Sequence, residues 1–133
     1  MKHLYILLLL AFTACSQNND SSEGIDWIDA QFTAQFLNKT YQDEVRYFND
    51  ETEGFTVYSD NNDIEDTDGD GLIVALFQTG EKIQLDLVDN GVRYGGQITN
   101  WQQTGNEITG TGDMNKEGDI QNLNISFTLL LNE

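Results

Sequence analysis

The sequence predicts an all-β domain, a mostly antiparallel sandwich or small barrel of seven to nine short strands. Three observations carry this. Apolar residues alternate with polar ones over I28-D-A-Q-F-T-A-Q-F36 and over L123-N-I-S-F-T-L-L-L131. Turn residues recur at short intervals between such stretches, with D89-N-G91 as the strongest hairpin signal. The chain has no proline, so asparagine, aspartate and glycine must shape its turns.

The elements follow in order. In 28–36 the even positions are Ile, Ala, Phe, Ala, Phe and the odd ones are polar. The spacing of Ile25, Ile28, Phe32 and Phe36 also fits a helix, the competing reading of this segment. Asn38-Lys39 turns the chain into a strand over 40–48, and 49–54 is a loop. A short strand covers 55–59, and an acidic loop covers 60–71. L72-I-V-A-L-F77 is apolar on both faces and reads as a central strand. Thr79-Gly80 leads to 82–88, where Ile83, Leu85 and Leu87 share a face. After Asn90-Gly91 come 92–94, a bulge at Gly95-Gly96, and 97–101. Residues 102–106 turn, 107–112 form a strand with glycines in place of side chains, and 113–119 form a second acidic turn. Residues 123–131 close the domain. Sandwich and barrel read alike at this level, since both are built from alternating strands.

The N-terminus precedes this domain with a different logic. Lys2 and His3 give a positive start, Leu4 to Phe12 is an apolar run too short to span a bilayer, and Thr13-Ala14 lead to Cys15. This is a secretory signal. Small residues directly before a lone cysteine resemble a bacterial lipobox, with Phe12 where leucine is usual. The expected organisation is a signal peptide over 1–14, a lipidated Cys15 with a polar tether over 15–24, and one β domain over 25–133. The mature chain is then 133 − 14 = 119 residues. Several acyl chains on Cys15 anchor firmly, at about 0.8 kcal/mol per buried CH₂.

Charge and missing residue types narrow the function. The chain has 23 acidic and 6 basic side chains, and loss of Lys2 leaves 5 basic, a net −18. Phosphate backbones are repelled, so no nucleic-acid partner is expected. The one histidine, His3, lies in the signal and the one cysteine is the anchor. A mature chain without imidazole or free thiol excludes Ser-His-Asp and Cys-His nucleophile systems and His- or Cys-ligated zinc.

The lipobox, F32-T-A-Q-F-L-N-K-T-Y41 as a first hairpin, and I108-T-G-T-G112 followed by I125-S-F-T128 together resemble small lipoproteins of flavobacteria, within the Bacteroidota. The resemblance implies a β-rich domain on the outer membrane, facing periplasm or cell surface, and no catalytic residues. The Asn/Ser-rich acidic tether is similar to export signals of surface lipoproteins in that group.

The segment D66-T-D-G-D-G-L-I73 is the one stretch that looks built for an ion. Asp66, Asp68 and Asp70 occupy positions 1, 3 and 5 of a calcium loop, Gly71 position 6, and the Leu72 carbonyl position 7. Position 12 is Phe77 rather than glutamate and position 9 is Val74, which rules out an EF-hand on spacing. Two readings stay open. Either Ca²⁺ is completed by Asp63 and by neighbours such as Asp60, Glu65, Asp113 or Asp119, or the segment is a solvated acidic turn. Residues 43–70 hold eleven acids and one base, a density that a bound cation would relieve.

Aromatics supply the remaining candidates. Trp101 beside Asn100, with Tyr94, Trp27, Tyr58 and Tyr47, would make a sugar-stacking platform; core packing is the competing use. Phe32, Phe36, Phe55, Phe77 and Phe127 would line a ligand cavity or fill a core. Two function classes follow. One is a lipid-anchored, non-enzymatic binding or structural module whose contacts are divalent cations, glycans or an envelope protein. The other is a small glycan hydrolase working through two carboxylates.

Overall fold

The computed structural model describes residues 25–59 and 72–132. The strands are β1 (Ile28–Phe36), β2 (Lys39–Asp50), β3 (Gly54–Ser59), β4 (Leu72–Thr79), β5 (Lys82–Asp89), β6 (Val92–Ile98), β7 (Asn100–Thr104), β8 (Glu107–Lys116) and β9 (Leu123–Leu131). Every pairing is antiparallel, and each strand from β1 to β5 pairs with the next. β9 pairs with β8 on one side and β1 on the other. The β6–β8 pairing then closes the sheet into an eight-stranded barrel, with β7 as a ninth strand lying along β8. The expectation of an all-β, mostly antiparallel fold holds, and of the two architectures the chain adopts the barrel. Residues 28–36 are a strand and not a helix. The two-residue period wins because β1 is paired on both edges and buries Ala30, Phe32, Ala34 and Phe36 on one face.

β6 and β7 act as one strand bent at Thr99. Tyr94 faces Lys116 and Gly95 faces Asn115, but Asn100 faces Thr111, so the register slips by one residue between them. The sequence puts a bulge at Gly95-Gly96; β6 pairs with β5 without a break from Val92 to Ile98, and the extra residue lies between Gly95 and Asn100 on the edge that faces β8. It lets β7 leave β5 and follow β8 alone. The extra length also corrects two boundaries: β7 runs to Thr104, and β8 runs to Lys116 through what reads as the start of an acidic turn. β8 continues because Asp113 and Met114 still face Asn124 and Leu123 on β9.

Two turns show how local chemistry sets register. Asn90 and Gly91 both take positive φ, 48° and 82°, as a two-residue turn of matching twist requires. The first hairpin turns on Leu37-Asn38, with φ of 55° and 59°, one residue earlier than Asn38-Lys39. Phe36 and Lys39 pair across it, and this register keeps Phe36 and Tyr41 both inside the barrel.

The interior is filled by side chains. Phe32, Val57, Val74, Leu76, Leu85 and Ile108 are among those shielded completely from solvent. The Phe32 and Phe127 rings stack at 6.1 Å. Large and small residues alternate around the bore: a Cβ on Gly110 would lie 2.5 Å from Cε1 of Phe127, so the ring occupies the space that the glycine leaves. The outer wall of β1, β8 and β9 is polar, with Gln31, Gln35, Thr111, Asn124 and Ser126 exposed. On these three strands an apolar inner face and a polar outer face, broken by the exposed Leu130, are the reverse of a barrel wall that faces lipid. Among the described residues no helix is long and apolar enough to cross a membrane.

Candidate functional site

The barrel has two ends. One carries the β1–β2, β3–β4, β5–β6 and β8–β9 connections; the other carries the β2–β3, β4–β5 and β7–β8 turns and the ends of the domain. Cys15 and the acids Asp63, Asp66, Asp68 and Asp70 lie outside the described residues. Leu72, the fifth proposed calcium ligand, begins β4 opposite Asp89 on β5. β3 ends at Ser59 and β4 begins at Leu72 at the first end. The Asp89-Asn90 turn and the Glu117–Asp119 segment sit at that same end. Among the described residues no group of three or more Asp, Glu, His or Cys side chains is placed to hold a metal ion.

That end is organised by two hydrogen-bonded acids. Ser59, only 3% exposed, donates from Oγ to Asp43 at 2.5 Å and accepts the Val74 amide at 2.6 Å. This pins β2, β3 and β4 where the acidic connection leaves. Tyr41, buried inside β2, donates its hydroxyl to Asp89 at 2.9 Å across the barrel end. Burial, the bond to Asp89 and the carboxylate's charge push the Tyr41 phenol up to about 12. The unfolded tyrosine titrates near 10, so between about pH 10 and 12 the unfolded chain gives up a proton that the folded chain keeps. Stability is thus intact below pH 10 and declines as pH rises toward 12. Urea titrations from pH 8 to 12 are expected to show this alkaline decline, and Tyr41→Phe to flatten it. An unchanged slope in the variant would refute the assignment.

The structure disperses the sugar-platform residues. Trp101 packs edge-on against Phe55 at 5.8 Å, and its indole N–H donates to the Glu81 carbonyl at 2.9 Å. Asn100, its neighbour, is exposed and donates to Thr111 at 2.8 Å. Tyr94 packs edge-on against Phe36 at 5.0 Å, near the opposite end of the barrel. Tyr47 is in the core against Phe55. These rings support packing and do not form one surface.

A different aromatic surface exists, which joins Trp27 and Tyr58 of the expected platform to Phe48 and Phe77, two rings that the sequence did not place with them. Trp27, Phe48, Tyr58 and Phe77 sit on the outer wall, each half-buried. Trp27 touches Phe48 at 5.8 Å and Tyr58 at 6.1 Å, and Tyr58 touches Phe77 at 5.2 Å. Phe77 therefore lies neither in the core nor along the bore: Val74 and Leu76 take the inner positions of β4, which puts Phe77 outside. The signal was present, since 72–77 is apolar on both faces. In a closed barrel nothing layers over the second face, so such a strand lays an apolar patch on the outer wall.

Beside these rings lies a concavity of about 490 Å³. Phe48, Thr56 and Phe77 form its floor, and the β2–β3 and β4–β5 turns form its walls. Gln78 ties the walls together: its amide nitrogen donates to the Gly80 carbonyl at 3.1 Å and its oxygen accepts the Phe55 amide at 3.4 Å. Gly54, at φ 102°, lets the first wall approach, since a Cβ there would stand 2.8 Å from the Gln78 carbonyl oxygen. Asp50 caps its turn, with Oδ1 accepting from the Thr52 hydroxyl at 2.6 Å and from the Thr52 and Glu53 amides at 2.8 and 3.1 Å. Those bonds, the hydroxyl's first, hold the Asp50 carboxyl below its ordinary range. A glycosidase acid needs the opposite shift. The arrangement offers aromatic surface and fixed negative charge.

Comparisons with protein-family models, with curated proteins and with solved structures returned no match.

Proposed function

We propose that the protein is a lipid-anchored, non-catalytic binding or structural module of the bacterial cell envelope. Acyl chains on Cys15 hold it to the outer membrane, facing the periplasm or the cell surface, and the barrel presents an acidic outer surface. The observation that favours this reading is the packed bore: residues facing inward from all eight barrel strands pack together in the core, so binding falls to the outer wall and the barrel ends. The polar segment after Cys15 suits a tether, and a chain of net −17 suits a partner that is not nucleic acid.

The anchor is tested by expressing the full chain in a Gram-negative host and measuring the intact mass and membrane partition of the product. The expected product begins at Cys15, carries fatty acyl chains and stays with the membrane fraction, while Cys15→Ser is released. An unacylated product cut at another position would overturn the reading.

The calcium part of the proposal is separable. Uptake by Asp66, Asp68 and Asp70, with the Leu72 carbonyl and Asp63, would be weak, with Kd roughly 10⁻⁴ to 10⁻³ M. It has a direct check in the melting temperature in EDTA, calcium and magnesium. A calcium-specific rise of several degrees that Asp68→Ala abolishes supports the site. No rise, or an equal one with magnesium, assigns the segment to an acidic turn.

A further inference from the structure

The outer cleft has a chemistry that points to one kind of occupant. Its floor is the exposed side of Phe48 and Phe77, continued by Tyr58 and Trp27. Its charged lining residues are Asp50 and Glu53, both acidic. Aromatic faces are electronegative and attract a cation placed over them, most of all beside a carboxylate. The Asp50 charge is held in place by three hydrogen bonds, so little ordering remains to be done on binding. The walls are fixed as well, through Gln78 and the close approach at Gly54. The chain as a whole is acidic, with 23 acidic side chains against 6 basic ones, although Arg46 stands opposite Tyr58 and Lys82 opposite Thr79 at the margins of this surface.

We propose that this cleft docks a basic segment of a partner protein, seating an arginine or lysine side chain over Phe48 and Phe77 with its charge against Asp50 and Glu53. This rests on the reading of the protein as a binding module and names the partner's chemistry. Charge complementarity selects this occupant over the others. A second copy of the chain would bring another net −17 to the face. A neutral glycan would use the rings and leave the carboxylates without a counter-charge.

The test is calorimetric titration of the full chain, in detergent, with capped hexa-arginine and hexalysine peptides. Hexaglutamate and a neutral hexasaccharide serve as comparisons. Both basic peptides are expected to bind, arginine more tightly because its planar group stacks on rings. Phe77→Ala and Asp50→Asn should each weaken binding about tenfold. Asparagine keeps the acceptor oxygen that caps the turn, so this variant removes charge without removing the cap. Raising salt from low to several-fold higher concentration should weaken binding by a similar factor. Glu107→Gln, an exposed acid on β8 outside the cleft, should leave affinity within about twofold of the parent. The melting temperature of each variant confirms folding.

Equal losses in Asp50→Asn and Glu107→Gln would reduce the effect to diffuse attraction and overturn the site. Hexasaccharide binding that ignores salt and Asp50→Asn would overturn it in favour of a sugar surface. Absence of basic-peptide binding in a chain that is acylated at Cys15 would overturn this inference and leave the anchored-module reading intact.

Discussion

Replacing Gly96 with alanine is expected to destabilise the barrel by about 3 kcal/mol or more, at the upper end of overpacking penalties. Gly96 lies on β6 where it meets β8, the pairing that closes the sheet among the described residues. A Cβ there would stand 2.3 Å from the carbonyl oxygen of Asp113 and 3.1 Å from the Cα of Met114. Backbone cannot rotate away as a side chain can, so the strands must part. Parting frees two sheet edges and exposes their polar groups. Gly80→Ala is the control. Gly80 has φ 61° but nothing within 4 Å of an added Cβ, so its cost is conformational strain alone, roughly 1 to 2 kcal/mol. Urea unfolding of both variants decides the matter. Equal losses would mean that the seam tolerates a methyl group and that closure does not depend on this glycine.

Phe32→Ala is expected to cost about 3–5 kcal/mol, the range for emptying a buried phenylalanine site. Phe32 is fully buried and stacks on Phe127, whose own ring fills the gap at Gly110. Rings wedged against glycine on one side and strands on the other cannot collapse into a void. A domain of this size has only about 5–15 kcal/mol of stability, so the variant is close to unfolding. The matched comparison is Phe77→Ala, chemically the same change on the outer wall. There the lost side chain leaves open surface rather than a cavity, and the expected cost is about 1 kcal/mol. The difference in urea midpoints between the two variants measures which phenylalanine faces the bore. Equal midpoints would contradict the inward and outward assignment of β1 and β4.

That pair of phenylalanines also marks where sequence reading stops. Ala30, Phe32, Ala34 and Phe36 are legible as one buried face because period-two alternation assigns sides within a strand without knowledge of the neighbours. The same holds for Ile83, Leu85 and Leu87, and for Ile125, Phe127, Leu129 and Leu131. The Asn90-Gly91 turn is legible because its positive φ values are a local steric preference. All-β class, antiparallel pairing and most strand positions follow from such local rules.

Closure does not follow from local rules. Whether β6 meets β8 depends on tilt, stagger and a one-residue slip spread over the whole sheet, and no single segment encodes these. Closure then fixes what alternation leaves open. It sends the second apolar face of 72–77 to the outer wall. It sets Tyr94 and Trp101 near opposite ends of the barrel. The pairing register, and not closure, brings Phe48, Thr56 and Phe77 side by side on β2, β3 and β4 as one floor between two turns. Ser59 shows the same limit at the scale of one residue. As a serine ending a short strand it is unremarked in the sequence, yet in the barrel it is the buried group that joins β2, β3 and β4. The sequence by itself determined which residues turn inward and where the chain bends, because those are properties of neighbours along the chain. Only the tertiary structure decided which faces meet, and with them the cleft, because distance in space between strands is set by the sheet as a whole.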